Sequence, residues 1–344
     1  MAPAVRFPAE WEPQSAVLVA WPHAGTDWAA RLPAVETAYV ELIAAIARFE
    51  HALICVADEA VRARAATLLA HTGVPGKHLH FVQADYDDTW LRDSGPISLV
   101  GRDQLHLLDF HFTAWGGKYA ASRDDRLIEQ LCARGVFANA RRERIDFALE
   151  GGAIETDGDG TLLTTWQCLH ARHPDLDRSE LSARLAQELH QRRVLWLDHG
   201  ALQGDDTDAH VDTLARFASP DSIVFQSCDD TDDPHHAPLT AMARELASLH
   251  TLDGKPYRLF ALPWPRPIVD AGRRLAASYA NFLIVNGAVL MPAYDDPADA
   301  LAATVLAQAF PGRQIVPVRC RALIWQNGSL HCLTMQLPKG LLAS

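Results

Sequence analysis

The chain has 344 residues, of which 49% are hydrophobic and 22% are charged, as is typical of a globular protein with a large core. Its formal net charge of -12 argues against nucleic-acid binding, which needs a basic face, and is compatible with a cationic ligand. The start "MAPAVRFPAEWEPQ" resembles no secretory signal, no apolar run could span a membrane, and the six cysteines show no CxxC spacing, so we expect a cytoplasmic protein with reduced thiols.

Hydrophobic residues recur at helical spacing in six segments, and short β-rich runs lie between them. The predicted helices cover residues 33–49, 59–71, 124–135, 178–191, 238–250 and 297–310. The predicted strands cover residues 15–21, 52–57, 79–84, 95–100, 105–110, 193–198 and 315–320.

Three segments contain turn residues typical of hairpins. Asp-Gly-Asp-Gly lies at the centre of 147–165, Asn286-Gly287 lies within 279–294, and Asn327-Gly328 lies within 319–335. Hairpin, helix and strand recur several times, which predicts an α/β protein of repeated β-β-α-β units around a centre, in one domain over 1–344. The polar stretch 227–238 is predicted to be an exposed loop.

Two stretches place carboxylates beside glycine at the ends of apolar runs. In "DYDDTWLRDSGP" (85–96), four aspartates surround Trp90 and Arg92, and a solvated turn with Asp caps is the simple alternative. In "LEGGAIETDGDG" (149–160), Glu150 follows an apolar run, where a carboxylate needs a partner if it is buried. An edge-strand glutamate in solvent is the alternative there.

Two further stretches supply a histidine and a cysteine. His210 and Asp212 lie two residues apart, so on a strand they would share one face and suit acid–base chemistry, a metal site or a structural role. Cys332 can act as a nucleophile or pack as a small hydrophobe. His331 is expected to point away from Cys332, because adjacent strand residues face opposite sides.

Taken together, these residues describe a site for a planar cation. Carboxylates can grip a guanidinium through paired hydrogen bonds, and the aromatic faces of Trp90 and Trp115 can cover it. Its central carbon is a poor electrophile, which favours a cysteine thiolate and a covalent intermediate. Nearby carboxylates would raise the pKa of Cys332, so we expect its thiolate to form only beside the substrate or a protonated His210.

Six ordered segments closely resemble the agmatine deiminases and the wider group of Porphyromonas-type peptidylarginine deiminases. They span nearly the whole chain and read "FPAEWEPQSAVLVAWP", "DDTWLRDSGP", "AWGGK", "LEGGAIETDGDGTLLTT", "DDTDAHVDTLARF" and "LHCLTMQLP". The resemblance implies the fold of guanidino-group-modifying enzymes, with five β-β-α-β units in a pseudo-fivefold propeller. It also implies agmatine hydrolysis to N-carbamoylputrescine and ammonia, a step in putrescine and polyamine biosynthesis, without metal or cofactor.

The resemblance also implies roles for residues that match the family's motifs. Cys332 resembles the nucleophile and His210 resembles the acid that then activates water. Asp93 and Asp212 resemble the carboxylates that grip the guanidinium, and Glu150 assists them. Around them, we expect the channel and rim to be formed by Trp90, Trp115, Asp87 and Asp88.

The chain departs from the family's commonest pattern near the site. Asn327-Gly328-Ser329 stands where a glycine-rich turn is expected, Ala209 where glycine is frequent, and Asp87-Asp88 where Asn-Asp is usual. The core positions are intact, so these departures concern the rim and hence the far end of the substrate. An acidic rim suits the ammonium of agmatine better than the carboxylate of free arginine.

Three alternatives remain. The same chemistry could act on peptidyl-arginine or another alkylguanidine, and a polyamine-binding or scaffold protein could retain a retired catalytic fold. A metal-dependent hydrolase would draw its ligands from His210, Asp212, Asp208, His235 and His236. It would be inhibited by chelators and leaves Cys332 without a role. Beyond a small guanidinium substrate we expect no nucleic-acid or membrane partner, and the sequence leaves homodimerisation open.

Overall fold

The computed structural model describes residues 5–102, 104–138 and 140–342, and within these ranges it contains nineteen strands and nine helical segments. The strands are β1 (Val5–Arg6), β2 (Gln14–Ala20), β3 (His51–Val56), β4 (Leu79–Gln83), β5 (Ile97–Gly101), β6 (Leu105–His111), β7 (Ala140–Ala148), β8 (Ile154–Thr156), β9 (Thr161–Thr165), β10 (Arg193–Leu197), β11 (Ala215–Ser219), β12 (Ser222–Gln226), β13 (Arg258–Leu262), β14 (Val269–Asp270), β15 (Arg273–Arg274), β16 (Leu283–Val285), β17 (Ala288–Ala293), β18 (Gln314–Arg319) and β19 (Thr334–Pro338). The helices are α1 (Leu32–Ala47), α2 (Glu59–Ala70), α3 (Leu91–Ser94), α4 (Ala114–Gly117), α5 (Leu127–Ala133), α6 (Trp166–Arg172), α7 (Arg178–Glu188), α8 (His236–Ser248) and α9 (Asp299–Ala309).

Five of the sheets in the described residues share one plan, in which an antiparallel pair is followed by a parallel neighbour. The antiparallel pairs are β19–β2, β5–β6, β8–β9, β11–β12 and β16–β17, and their parallel neighbours are β3, β7, β10, β13 and β18. Parallel neighbours need a long crossover, and each of the five crossovers contains at least one helix. The predicted order of hairpin, helix and strand is therefore present in four of these sheets, and in the fifth the antiparallel pair joins β19 to β2 from opposite ends of the chain.

Local sequence explains where the elements begin and which faces they bury. β2 is a nearly continuous apolar run whose last five residues are buried, as expected for a strand covered on both faces. α7 begins with a capping box, in which Asp177 accepts from the backbone of Glu180 and the Glu180 side chain accepts from the backbone of Asp177. All six predicted helices and all seven predicted strands are confirmed, with bounds that differ by a few residues.

Two of the three predicted hairpins are confirmed, and the last one is wrong. β8–β9 and β16–β17 form the first two, with Gly158, Gly160 and Gly287 at positive φ in their turns. Asn327 has a left-handed φ of 72°, but the chain does not turn back there to pair with β18. β19 instead pairs antiparallel with β2, so the last strand joins the sheet that contains β2, β3 and β4.

The stretch 227–238 is less exposed than the sequence suggests. Asp233 and His235 are buried within it, and α8 already begins at His236. Asp233 accepts hydrogen bonds from Trp264 and Arg274, which explains the burial of its carboxylate. Within the ranges that the structure describes, no helix is both long and apolar enough to cross a membrane.

Candidate active site

Cys332 lies in the turn directly before β19, and only 4% of its surface is exposed. It contributes to a cavity of about 600 Å³, to which Trp90 and Trp115 also contribute. The acidic residues that line this cavity are Asp27, Asp87, Asp88, Asp93, Asp124, Asp205 and Asp206. A predominantly acidic cavity that reaches a buried cysteine is suited to a cationic substrate.

The His210–Asp212 pair does not lie on a strand, which corrects the prediction made from its spacing. Residues Val211–Thr213 form a short 3-10 turn instead. Just before it, Asp208 and Ala209 have φ angles of 66° and 69°, so Ala209 adopts the left-handed conformation for which glycine is the easier residue. Both His210 and Asp212 are nevertheless fully buried beside the other predicted residues.

The five predicted core residues converge around Cys332. Its Sγ lies 3.5 Å from Asp212 Oδ2, and Asn281 donates to the same sulfur at 3.1 Å. His210 Nδ1 lies 3.6 Å from Asp93 Oδ1, and His210 Nε2 lies 3.5 Å from Glu150 Oε2. The structure thus brings together every side chain predicted at the centre of the site.

Fixed donors hold the carboxylates in place. Asp93 accepts from the Trp115 indole at 2.9 Å and from the Gly152 backbone at 3.0 Å. Glu150 accepts from Arg172 Nε at 2.8 Å. Trp115 itself has a left-handed φ of 56° inside α4, which is therefore a turn rather than a continuous helix.

The three buried carboxylates differ in the direction in which their pKa values are shifted. Burial raises the pKa of Asp93 to about 6, with Asp212 and Glu150 adding to the rise and His210 opposing it. Burial also disfavours the charged forms of the other two. For Glu150, however, His210 and Arg172 lower the pKa below its usual value, and the hydrogen bond from His331 does the same for Asp212.

The pKa values of His210 and Cys332 are both raised, which favours a charged histidine and a neutral cysteine. Burial opposes protonation of His210, but Asp93, followed by Cys168 and Glu150, raises its pKa well above the usual value. Burial, followed by the charges of Asp212 and Asp93, raises the pKa of Cys332 well above its usual value. The rise expected from the sequence is therefore present, and in the absence of substrate the favoured pair is an imidazolium and a neutral thiol.

Several buried polar atoms at this site have no hydrogen-bond partner among the residues described. They are Asp212 Oδ1, Glu150 Oε2, and both ring nitrogens of His210. Buried polar atoms are rarely left unpaired, because each costs about 1–3 kcal/mol. The two carboxylate oxygens, Asp212 Oδ1 and Glu150 Oε2, are therefore available to accept from N–H donors of a ligand, whereas the ring nitrogens of an imidazolium at His210 are donors themselves.

The two predicted rim residues line the cavity but differ in their partners. Asp87 accepts from the Arg123 backbone at 2.9 Å and lies 3.6 Å from the Arg123 guanidinium. Asp88 accepts from the Thr89 backbone at 2.8 Å through Oδ1, and burial raises its pKa to about 7. Unlike Asp87, Asp88 has no cationic partner among the described residues, and a cation bound beside it would favour its ionised form.

The metal ligands proposed from the sequence are not gathered in one cluster. Among the described residues, two groups bring three potential ligand atoms within 4.8 Å of one another, namely Glu150, Cys168 and His210, and Glu10, Glu155 and His331. His235 instead pairs with Asp233 at 2.6 Å. The first group shares Glu150 and His210 with the predicted site, but it excludes Asp212, Asp208 and Cys332.

Sequence reasoning missed several partners of the core residues and misjudged one. His331 is not on a strand and does not point away, because its Nδ1 lies 2.8 Å from Asp212 Oδ2. Asn281 and Arg172 were not singled out, since neither lies next to a predicted site residue in the chain. The one sequence signal for His331 is its position directly before Cys332. The assumption that both residues lie on a strand led to the wrong expectation that their side chains face opposite sides.

A family model described as Porphyromonas-type peptidyl-arginine deiminase matches residues 6–338. The chain belongs to this family. The agmatine deiminase of Pseudomonas aeruginosa (strain LESB58) is 33% identical to it, over 97% of this chain and 95% of that protein. The predictions of the family, and of an enzyme of the deiminase type, are therefore confirmed.

Solved structures of other family members match over nearly the whole length. A Porphyromonas gingivalis protein, provisionally named an arginine deiminase, has a TM-score of 0.92 and 44% identity, over 98% of this chain and 100% of that one. A C. jejuni agmatine deiminase with substrate bound has a TM-score of 0.90 and 32% identity, over 98% and 97%. These matches confirm the predicted α/β fold of guanidino-group-modifying enzymes.

Proposed function

We propose that this protein hydrolyses the guanidinium group of agmatine to N-carbamoylputrescine and ammonia. The observation that carries the proposal is the pair of unpaired buried carboxylate oxygens near Cys332, Asp212 Oδ1 and Glu150 Oε2. A guanidinium supplies a fork of N–H donors and a positive charge, which together satisfy the free carboxylate oxygens. Relatives named agmatine deiminases support this choice of substrate.

The reaction follows from these groups in two steps. Asp93 and Asp212 hold the guanidinium, and its charge lowers the pKa of the Cys332 thiol. The thiol gives its proton to solvent in the cavity, and the thiolate attacks the central carbon. His210, held protonated by Asp93 and Glu150, gives its proton to the departing nitrogen, and ammonia leaves.

The second step regenerates the enzyme. Neutral His210 removes a proton from water, and the hydroxide adds to the carbon of the amidino-cysteine intermediate. The carbon–sulfur bond then breaks, and the departing thiolate takes the proton from the urea oxygen, which restores the Cys332 thiol and leaves the urea group of N-carbamoylputrescine, a precursor of putrescine. In this scheme His210 and Cys332 carry the proton transfers at the reacting carbon, and we propose no metal or organic cofactor.

The acidic rim supports an ammonium at the far end of the substrate. Asp88 has no cation among its recorded side-chain partners, and Asp27 adds negative charge close to it. Trp90 and Trp115 would cover the apolar linker between the two cationic ends. We further propose that the five sheets with a shared plan form the blades of a pseudo-fivefold propeller around this site, in one catalytic domain over 1–344.

A second candidate is hydrolysis of arginine, free or within a peptide. The solved structure at 44% identity, provisionally named an arginine deiminase, favours it, because that identity exceeds the 33% shared with the Pseudomonas agmatine deiminase. Arg273 also lines the cavity and could face a carboxylate. In the structure, however, Arg273 is engaged with Asn327 and with the Trp325 carbonyl.

The experiment measures ammonia release from agmatine, free arginine and a terminally blocked arginine peptide, with and without EDTA. We expect agmatine to be the best substrate, no effect of EDTA, and a loss of at least about a thousandfold in Cys332→Ser. Cys132→Ser, which changes a half-buried thiol outside the cavity, is the matched control and should retain activity.

Other outcomes would reassign the function. Preference for the peptide or for free arginine would replace agmatine as the substrate. Loss of activity with EDTA, or survival of activity in Cys332→Ser, would contradict the cysteine mechanism.

A further inference from the structure

His331 connects the candidate active site to a second group of buried charges. Its Nδ1 lies 2.8 Å from Asp212 Oδ2, and its Nε2 lies 2.9 Å from both Glu10 Oε1 and Arg216 Nη2. The ring is fully buried, and Asp212 is fully buried as well. One side of His331 therefore faces the carboxylate beside Cys332, and the other side faces a separate ion-pair cluster.

That cluster holds His331 in place from behind. Glu10 accepts from Arg92 at 3.1 Å, from Gln336 at 2.9 Å, and from Arg216. Glu10 also borders a second cavity of about 210 Å³, so its carboxylate is partly accessible while the ring is not. A ring fixed at Nε2 by charged partners has little freedom to rotate, and its Nδ1 stays directed at Asp212.

The two oxygens of Asp212 have different surroundings. Oδ2 accepts from His331 and from Asn281 at 3.2 Å, and lies next to the Cys332 sulfur. Oδ1 has no partner among the described residues. The donors on Oδ2 therefore set the direction in which Oδ1 points, and Oδ1 is the oxygen left for a guanidinium N–H.

We propose that His331 is a positioning residue, which donates from Nδ1 to Asp212 and thereby keeps that carboxylate ionised and aimed at the substrate. The inference rests on the proposed function, since it assigns His331 a task in binding the guanidinium. His331 does not touch the reacting atoms and takes no part in proton transfer. Burial, followed by the nearby charges of Arg216 and Arg92, lowers the pKa of His331 and favours a neutral ring. With its hydrogen on Nδ1, that ring donates to Asp212 while its Nε2 accepts from Arg216, which also donates to Glu10.

Loss of the Nδ1 donor should change the pH dependence of Asp212. The titratable and charged groups around Asp212 and His331 are His210, Cys332, Asp93, Arg216, Glu10, Glu155 and Arg92. The hydrogen bond from His331 lowers the pKa of Asp212. Without it that pKa rises, and where it exceeds that of Asp93, at about 6, the loss of ionised Asp212 moves the acid limb of kcat/KM upward.

Two substitutions of His331 test the contacts of its two ring nitrogens separately. His331→Asn places an amide near Nδ1 and keeps a donor to Asp212, whereas His331→Gln reaches the position of Nε2 and loses that donor. For agmatine we expect His331→Asn to retain kcat/KM within about threefold, and His331→Gln to lose about a hundredfold with its acid limb moved to higher pH. Much of the loss should appear in KM, because Asp212 contacts the bound substrate.

The outcomes distinguish this inference from the proposed function. Equal activity and identical pH profiles in the two variants would overturn the role of His331 while wild-type turnover of agmatine left the function intact. Absence of wild-type turnover on every guanidine substrate would overturn the function instead. In that case thermal unfolding at pH 7 still tests the contact, because His331→Gln should unfold at a lower temperature than His331→Asn, and equal temperatures would contradict it.

Discussion

At the scale of single residues, the site depends on a balance among a few buried charges. Asp93, Glu150 and Asp212 are all deeply buried, yet only Asp93 has a raised pKa, at about 6. The difference arises because Glu150 has Arg172 and Asp212 has His331 as donors, whereas Asp93 is held by an indole and a backbone amide. Asp93 is therefore the carboxylate that protonates first as the pH falls.

The raised pKa of Asp93 predicts where the acid limb of the pH profile of kcat/KM lies. We expect kcat/KM for agmatine to rise with pH and level off above about 6, because Asp93 must be ionised in the free enzyme to grip the guanidinium. The same shift should lower folding stability as the pH rises from about 4 to 6, since the unfolded chain loses this proton first. A pH profile of kcat/KM is the measurement. Asp88→Asn, which removes a group whose pKa is about 7, should keep the limb near 6, and a flat profile down to about pH 4.5 would contradict the assignment.

At the scale of elements, short turns rather than long strands deliver the side chains to the site. Asp93 lies in the single turn α3, Glu150 directly precedes the 3-10 turn Gly151–Ala153, and Cys332 lies in the turn before β19. The turn after Glu150 passes very close to the other groups. A Cβ added at Gly152 would lie 2.6 Å from His210 Nδ1, 2.7 Å from Asp93 Oδ1 and 3.2 Å from Asp212 Oδ2.

Gly152 is therefore expected to tolerate no side chain. Gly152→Ala should reduce kcat/KM by at least about a hundredfold, because the methyl group pushes His210 and Asp93 out of position. Gly76→Ala is the matched control, since a Cβ at Gly76 meets nothing within 4 Å and its φ is not positive. Steady-state kinetics of both variants, with circular dichroism to verify folding, is the measurement. Near wild-type activity in Gly152→Ala would show that the turn can move away from the site.

At the scale of the whole molecule, Arg216 links segments that are far apart in the chain. Its guanidinium, fully buried on β11, pairs with Glu155 on β8 and with Glu10 near the N-terminus. It also donates to the Phe282 carbonyl at 2.8 Å, just before β16. Three separate sheets and the N-terminal segment therefore meet at one side chain, directly behind His331.

Removal of this cation should destabilise the entire fold. Arg216→Met removes the cation that pairs with buried Glu155 and one of the two that pair with Glu10, which costs about 3–5 kcal/mol of unfolding free energy. Arg62→Met is the control, because its ion pair with Glu59 on α2 is exposed and contributes about 1 kcal/mol or less. Urea unfolding of the two variants compares the effects. Similar urea midpoints for the two variants would mean that Glu10 and Glu155 become protonated, or find other donors, with no loss of folding stability.

The chain itself determined most of the local structure and the chemical character of the site. Hydrophobic periodicity located the six predicted helices and the seven strands, and turn residues located the β8–β9 and β16–β17 hairpins, because these signals depend on neighbours in sequence. The types of the five core residues indicated a guanidinium site, since few other groups would need a cysteine, a histidine and several carboxylates together.

Only the tertiary structure decided how these parts meet. The Asn-Gly signal at 327–328 predicted a local hairpin, but β19 found its partner in β2 at the other end of the chain, where it completes a sheet. The same pairing sets the place of Cys332 and turns His331 toward Asp212 rather than away from it. Neither result could be read from spacing, because the partners of a buried polar group are set by whichever distant segments can satisfy its hydrogen bonds, and sequence distance carries no record of that.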